Sequence, residues 1–156
     1  MAVGTTKQIQ EMVDNGATPG LIKLLRSQSK EVRSQAMWAL ANISADNVNF
    51  RDTILQGGAI GPLVKIMEEA LSEENLKLIK EGNWLLATLC QRKPEPPYEE
   101  VKDALSIFAK VILSQTDDMI LKDALWSLQC LSHGDEERIQ PVLDTGVVPS
   151  LVKFLE

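Results

Sequence analysis

The sequence is poor in the residue types that build most active sites. It has one histidine, two cysteines and one tyrosine among 156 residues. The histidine, His133, lies in the polar segment LSHGDEE, where we expect a solvent-exposed loop residue and not a catalytic base. We find no Ser/His/Asp set, no glycine-rich phosphate loop and no metal-ligand spacing. The sequence therefore predicts a protein that is not an enzyme and that binds no cofactor and no metal.

Long apolar runs are missing as well. No stretch approaches the run of about 18 apolar residues that a transmembrane helix needs. The N-terminal segment MAVGTTKQIQ lacks the basic region and apolar run of a signal peptide. The two cysteines, Cys90 and Cys130, give no disulfide framework, which indicates reduced thiols in the cytosol or nucleus.

Basic residues are in the minority. The chain has 16 Lys and Arg against 22 Asp and Glu, which gives a formal net charge of −6. This balance disfavours nucleic acid and anionic membranes as partners, because both attract basic patches. It is compatible with a basic partner, although a mild acidic excess by itself also serves solubility.

What the sequence does contain is self-similarity. The segments NGATPGLIKLL, GGAIGPLVKIM and TGVVPSLVKFL begin at Asn15, Gly57 and Thr145, and a weaker copy, ALSIFAKVIL, begins at Ala104. The only three tryptophans, at positions 38, 84 and 126, follow the same period. A helical repeat of about 40–47 residues is typical of an armadillo or HEAT solenoid.

Each unit is predicted to contain a short first helix, a second helix that begins near a proline, and a long third helix. Gly16, Gly58 and Gly146 fall between the first two helices, where glycine allows a sharp turn. These features favour armadillo over HEAT. We therefore predict an all-α, right-handed superhelical armadillo solenoid of about three and a half repeats of three helices. The predicted units are approximately residues 5–46, 47–91 and 92–133, with a partial unit at 134–156.

The connection between the second and third units is unusual. Residues 91–100, QRKPEPPYEE, contain three prolines, which end a helix. We expect this loop to replace a regular first helix, although such a segment also resembles a proline-rich ligand motif. Neither end of the chain has the polar terminal unit that caps a solenoid. We therefore expect a piece of a longer array, whose apolar end faces can drive self-association.

The third helices carry aromatic and polar side chains beside their core stripes. On the first of them, Trp38, Asn42 and Asp46 form a row about 12 Å long next to the core face. On the next third helix, Trp84 and Thr88 occupy the positions equivalent to Trp38 and Asn42. On the last third helix, Trp126 occupies the position equivalent to Trp38. The predicted core stripes are Met37, Leu40, Ala41 and Ser44 on the first helix and Leu121, Leu125, Leu128 and Ser132 on the last.

The chemistry of these rows favours one kind of ligand. Stacked third helices line the concave surface of a solenoid, so that the tryptophans form a ladder there. The alternative is that each indole packs against the neighbouring repeat as core. Indole faces attract cations and pack on the stems of Lys and Arg, a carboxylate pairs with an ammonium group, and an asparagine amide can hold a peptide unit. The ladder therefore predicts a surface for an extended Lys/Arg-rich peptide.

Three segments resemble importin alpha, the armadillo-repeat receptor for nuclear localisation signals. They are WALANISADNVNFRDTILQGGAIGPLVKI, WLLATLCQRKPEPP and DALWSLQCLSHGDEERIQPVLDTGVVPSLVKFL. The resemblance covers nearly the whole chain and includes the irregular proline loop of that family. It implies a nuclear import adaptor of the cytoplasm and nucleus that binds basic linear peptides of cargo proteins. It also implies importin beta as a partner of the full-length protein, through a basic segment that this sequence does not contain.

The resemblance also implies roles for individual residues. Trp38 and Asn42 match the family's repeated Trp-x-x-x-Asn pair, and Asp46 matches the aspartate that pairs with the key lysine of the signal. Gln35 and Asp123 match a polar and an acidic groove residue. The implied peptide-binding set is completed by Trp84, Thr88, Glu81 and Trp126.

Four positions depart from the family pattern. Thr88 stands where asparagine is expected, Glu81 replaces a groove asparagine, Cys130 replaces an aromatic hydroxyl, and Gln91 replaces a basic residue. They indicate a divergent importin alpha or a related protein with altered specificity. The alternative function is a catenin-like armadillo scaffold that binds a different protein partner. Because such a scaffold would be expected to have basic residues along its groove, the acidic and neutral row favours the adaptor.

Overall fold

The computed structural model describes residues 6–91, 93–134 and 136–153, with the backbone alone at Glu136. Within these ranges all regular structure is α-helical, as predicted, and no helix has the length and apolar character to cross a membrane. Parts of the predicted units at residue 5, Arg92, Asp135 and residues 154–156 lie outside the described residues. The helices are α1 Thr6–Asp14, α2 Ala17–Leu24, α3 Lys30–Asp46, α4 Val48–Gln56, α5 Ile60–Ser72, α6 Leu76–Cys90, α7 Tyr98–Val101, α8 Ala104–Ser114, α9 Asp118–Ser132, α10 Glu136–Asp144 and α11 Val148–Lys153.

The helices stack in two layers. The three long helices form one layer, in which α3 packs on α6 and α6 packs on α9. A second layer contains α5 and α8, which pack on each other and on α6 and α9 respectively. The apolar core lies between these layers and runs through the whole described chain. The order of short, medium and long helices agrees with the predicted units, whose boundaries stay a prediction.

Each long helix begins at a polar cap. Ser29 accepts a hydrogen bond from the backbone N–H of Val32 at 3.3 Å, and Asn75 accepts one from Leu78 at 3.2 Å. Asp117 accepts from the N–H groups of the second and third residues after it, at 3.0 and 3.1 Å. Such caps satisfy backbone donors that have no partner in the first helical turn. Because each cap lies nine residues before a tryptophan, the three indoles occupy equivalent positions on their helices.

The predicted glycine turns are confirmed. Gly16, Gly58 and Gly146 have φ values of 79°, 75° and 72°, in the left-handed region. A β-carbon is costly there, so glycine lets the chain reverse between the first two helices of a unit at little strain.

The proline segment differs in one respect from the prediction. α6 ends at Cys90, ahead of the three prolines, but one helical turn, α7, follows Pro97. Proline needs no backbone N–H partner at the start of a helix and its fixed φ suits that position. Val101 at the end of α7 is buried in the core. The segment therefore retains one turn in the place of a first helix, where the sequence predicts none.

The core stripe predicted for α3 is confirmed, but the one predicted for α9 is wrong. Met37, Leu40, Ala41 and Ser44 are all fully buried. On α9 only Leu128 of the predicted stripe is buried, and Leu121, Leu125 and Ser132 remain partly exposed. Among the described residues no further long helix covers that side of α9, which packs on α6, α8 and the short helix α10. The buried residues of α9 are Ile120, Ala124, Ser127, Leu128 and Leu131.

Candidate functional site

A groove of about 460 Å³ lies along α6 between α3 and α9, and we call it the α6–α9 groove. Of the nine residues predicted to bind a ligand, Trp38, Glu81, Trp84, Thr88 and Asp123 line it. Its remaining lining residues are Lys80, Asn83, Ala87, Gln91, Met119, Ile120 and Lys122. The stacking of the long helices thus brings together side chains that are more than 40 residues apart in sequence.

Two of the three tryptophans belong to this groove. Trp38 and Trp84 are partly buried, and Trp84 packs against the apolar core. Trp126 occupies the equivalent position on α9, but 58% of its surface is exposed and it does not line the groove. The groove therefore offers a ligand two indoles with an apolar wall, and the third indole lies on open surface.

Two carboxylates lie near these indoles. Glu81 and Asp123 each come three residues before a tryptophan, on α6 and α9 respectively. Oε2 of Glu81 is buried, and no hydrogen-bond donor reaches it within the described part of the chain. Burial raises the pKa of the Asp123 carboxyl, and the Lys122 ammonium opposes part of that rise. Carboxylates that accept so few hydrogen bonds from the protein favour a cationic ligand.

Sequence reasoning missed Asn83, the most buried polar side chain of the groove. It is 1% exposed, and its Nδ2 donates to the backbone oxygen of Ile120 at 3.0 Å. This bond fixes α6 against α9. Its Oδ1 is buried and has no partner among the described residues. The signal was present in the sequence, because the equivalent positions before Trp38 and Trp126 hold Met37 and Leu125.

The groove also contains cations that the sequence analysis did not include. Lys80 and Lys122 line it, and Nζ of Lys80 lies 3.7 Å from a carboxylate oxygen of Asp117. Gln91 lies at the other end, where its Nε2 donates to Oγ of Ser127 at 3.2 Å. The groove is therefore of mixed charge and not purely acidic.

The predicted polar row is used partly for internal contacts. Nδ2 of Asn42 donates to the backbone oxygen of Trp38 at 2.8 Å, within its own helix. The hydroxyl of Thr88 contacts Oγ of Ser44 at 2.6 Å, between α6 and α3, and donates to the backbone oxygen of Leu85 at 2.8 Å. The structure therefore gives both side chains a structural contact, and their predicted role in ligand binding stays a prediction.

Asp46 and Gln35 lie outside the α6–α9 groove lining. Oδ1 of Asp46 accepts from Oγ1 of Thr6 at 3.1 Å, and its Oδ2 accepts from Nδ2 of Asn47 at 3.1 Å. Asp46 is the last residue of α3, where helix carbonyls add negative potential. Gln35 is exposed on the same helix. These two residues extend the polar surface along α3 instead of contributing to the groove.

Comparison with known proteins identifies the class of repeat. Residues 5–45 match the family model described as the Armadillo/beta-catenin-like repeat. A computationally designed armadillo repeat protein for modular peptide recognition superposes with a TM-score of 0.83 at 29% identity, over 99% of this chain and 63% of that one. A designed armadillo repeat protein in complex with the peptide (KR)4 gives 0.80 at 31% identity, over 97% of this chain and 62% of that one. The chain therefore has the armadillo-repeat fold.

Within that class, natural proteins similar to this chain include importin alpha subunits. Importin subunit alpha-2 of Arabidopsis thaliana is 39% identical over 156 residues, and importin subunit alpha-1b of Oryza sativa subsp. japonica is 40% identical over 155. These alignments cover 100% and 99% of this chain and 28% of each relative. The predicted resemblance to importin alpha is confirmed, and the chain spans less than a third of the length of these relatives. The proteins that it resembles are not enzymes, in agreement with the prediction.

Proposed function

We propose that the chain binds extended Lys/Arg-rich peptides of cargo proteins along α3, α6 and α9, as part of a nuclear import adaptor. The observation that carries this proposal is the α6–α9 groove, where two indoles and two carboxylates line one cavity. The nine predicted residues form the proposed binding surface, with Trp38, Glu81, Trp84 and Asp123 at its centre.

The chemistry of the groove fits a basic peptide. The faces of Trp38 and Trp84 attract cations and pack on the methylene stems of Lys and Arg. Glu81 and Asp123 supply negative charge to the terminal groups of those side chains. The net charge of −6 adds a long-range attraction that raises the association rate of a basic ligand.

The comparisons support the same proposal. One similar structure is a designed armadillo repeat protein in complex with (KR)4, a peptide of alternating lysine and arginine. Natural proteins similar to this chain include importin alpha subunits. By this analogy we propose a role in the cytoplasm and nucleus, with importin beta as a partner of the full-length protein.

One observation favours a second function. Lys80 and Lys122 line the groove, and basic groove residues are expected of a catenin-like scaffold that binds an acidic segment. A test of the first proposal must therefore include an acidic ligand.

The experiment is a titration of the chain with fluorescein-labelled (KR)4, followed by fluorescence anisotropy at about 50 and 200 mM salt. Neutral and acidic octapeptides serve as controls. We expect saturable binding of (KR)4 that weakens with salt, and little binding of the other two. Tighter binding of the acidic peptide would support the scaffold, and no binding of (KR)4 would contradict the adaptor.

A matched pair of variants tests the position of the ligand. Trp84→Ala removes an indole from the groove, and Trp126→Ala removes an exposed indole outside it. We expect Trp84→Ala to weaken (KR)4 binding about tenfold or more, which corresponds to about 1.4 kcal/mol, and Trp126→Ala to weaken it less. Far-UV circular dichroism checks that both variants remain helical. Equal effects would contradict a ligand centred on the α6–α9 groove.

A further inference from the structure

The α6–α9 groove contains two acceptor oxygens that are buried and lack a donor in the part of the chain that the structure describes. Oε2 of Glu81 and Oδ1 of Asn83 are both buried, and within the described residues neither has a hydrogen-bond partner. The carboxylate of Asp123 lines the same groove. A buried acceptor without a donor destabilises the protein, so unpaired oxygens are rare in folded proteins. A ligand that brings several donors to this place would remove that destabilisation.

We infer that the α6–α9 groove selects a guanidinium group, so that the bound peptide carries arginine and not lysine at the position held there. Glu81, Asn83 and Asp123 are the residues that determine this specificity. The inference rests on the proposed function, because it concerns one side chain of the same peptide.

The geometry of the acceptors is better suited to a guanidinium than to an ammonium group. The three acceptor side chains come from two helices and line the same groove as Trp84. A guanidinium has five donors in a fixed plane and stacks on aromatic rings, whereas an ammonium is compact and more strongly hydrated. Arginine therefore serves several separate acceptors at a lower cost of desolvation than lysine.

Asn83 makes the site rigid. Its Nδ2 is held by the backbone oxygen of Ile120, so the orientation of Oδ1 is set before a ligand arrives. A rotamer that is already fixed loses no entropy on binding, which increases selectivity. Trp84, packed against the core, fixes the wall on which the guanidinium stacks.

Lys80 and Lys122 restrict the site to a single cation. Both lysines line the groove together with Glu81 and Asp123, so the formal charges of its lining residues balance. A second ligand cation would meet these lysines without a free carboxylate. The groove therefore recognises one arginine within a basic peptide and does not select for arginine along its whole length.

The test compares two labelled peptides, octalysine and octalysine with one central lysine replaced by arginine. We expect the arginine peptide to bind the unmodified chain about tenfold more tightly. Glu81→Gln keeps the shape of the side chain and removes its charge, and it should reduce this preference to less than about threefold. Glu11→Gln is the charge-matched control, because Glu11 is exposed on α1 and does not line the groove.

The outcomes separate this inference from the proposed function. If both peptides bind equally well to the unmodified chain, the selection of guanidinium is wrong and the basic-peptide function stands. If neither peptide binds, both proposals are overturned. A preference for arginine that persists in Glu81→Gln would overturn the assigned role of Glu81 in selecting the guanidinium group.

Discussion

Gly82 lies on α6 between the two groove residues Glu81 and Asn83, and we predict that Gly82→Ala destabilises the protein. A β-carbon at this position would lie 2.3 Å from Sδ of Met67 on α5 and 3.6 Å from Sδ of Met37 on α3. Both methionines are fully buried. The absence of a side chain at residue 82 therefore allows α6 to pack closely against its two neighbours.

Two opposing effects decide the magnitude. Alanine is favoured over glycine in a helix interior by about 1 kcal/mol. Overpacking a core costs about 1–3 kcal/mol. Methionine is flexible, but Met67 has no solvent-exposed position into which Sδ can move without displacing other core atoms. We therefore expect a net loss of about 1 kcal/mol in the free energy of unfolding, and a Tm lower by about 2–4 °C.

Thermal unfolding monitored by far-UV circular dichroism measures this change. Gly20→Ala is the matched control, because Gly20 lies in the interior of α2 and its β-carbon would have no atom within 4 Å. That variant should be stabilised by about 0.5–1 kcal/mol. In a Met67→Ala background, Gly82→Ala should also become stabilising, because the clash is gone. If Gly82→Ala and Gly20→Ala stabilise the protein equally, the close packing of α6 is refuted.

Four further changes test other parts of the structure. Arg51→Met should lower the free energy of unfolding by about 1–3 kcal/mol in a urea titration. The reason is that the buried guanidinium donates to the backbone oxygen of Gln91 at 3.1 Å, and an unchanged urea midpoint would contradict this role. Asp123→Asn should raise stability at neutral pH and leave it unchanged at strongly acidic pH. The reason is that burial raises the pKa of Asp123, so its contribution to stability is lost as the pH rises through that value; a lower Tm at neutral pH would refute it. Asp117→Asn should have the opposite effect and lower stability at neutral pH, because the N–H of Ile120 holds the pKa of Asp117 below its ordinary value. The stability that Asp117 contributes is lost only as the pH falls through that lowered pKa, and parallel pH profiles of variant and parent would exclude this contribution. Asp46→Lys should weaken binding of a Lys-rich peptide by about 1–3 kcal/mol. The variant should keep the fold, because a cation is favourable at the C-terminus of α3. Equal affinity of variant and parent in the anisotropy titration would show that Asp46 is not part of the binding surface.

The sequence predicts most of the fold because the fold repeats. A period of 42 to 46 residues, with glycine at equivalent turns, specifies the order of helices in each unit. Gly16, Gly58 and Gly146 adopt the expected left-handed backbone since that conformation is local and disfavours other residues. The core stripe of α3 is equally predictable, because both of its flanking layers are present in the chain.

The site is less predictable because its side chains respond to neighbours from other units. Helical periodicity assigns Asn42 and Thr88 to the ligand surface, yet one bonds to its own helix and the other to Ser44 on α3. Asn83 occupies the position equivalent to the core residue Met37, yet its amide joins α6 to α9 and its side chain lines the groove. Periodicity gives the direction of a side chain and not the distance to the groups around it.

The three tryptophans show most clearly that the position of a residue on its helix does not predict the groups around its side chain. Each indole follows its helix cap by nine residues, so their local positions are identical. Trp84 nevertheless lines a groove, because α6 is flanked by α3 on one side and α9 on the other. Trp126 is 58% exposed, since among the described residues α9 is flanked only by α6 in the layer of long helices. A binding position in a solenoid is therefore formed by two stacked helices and not by one repeat. A residue that matches the repeat pattern lines a groove only where both of those helices are present.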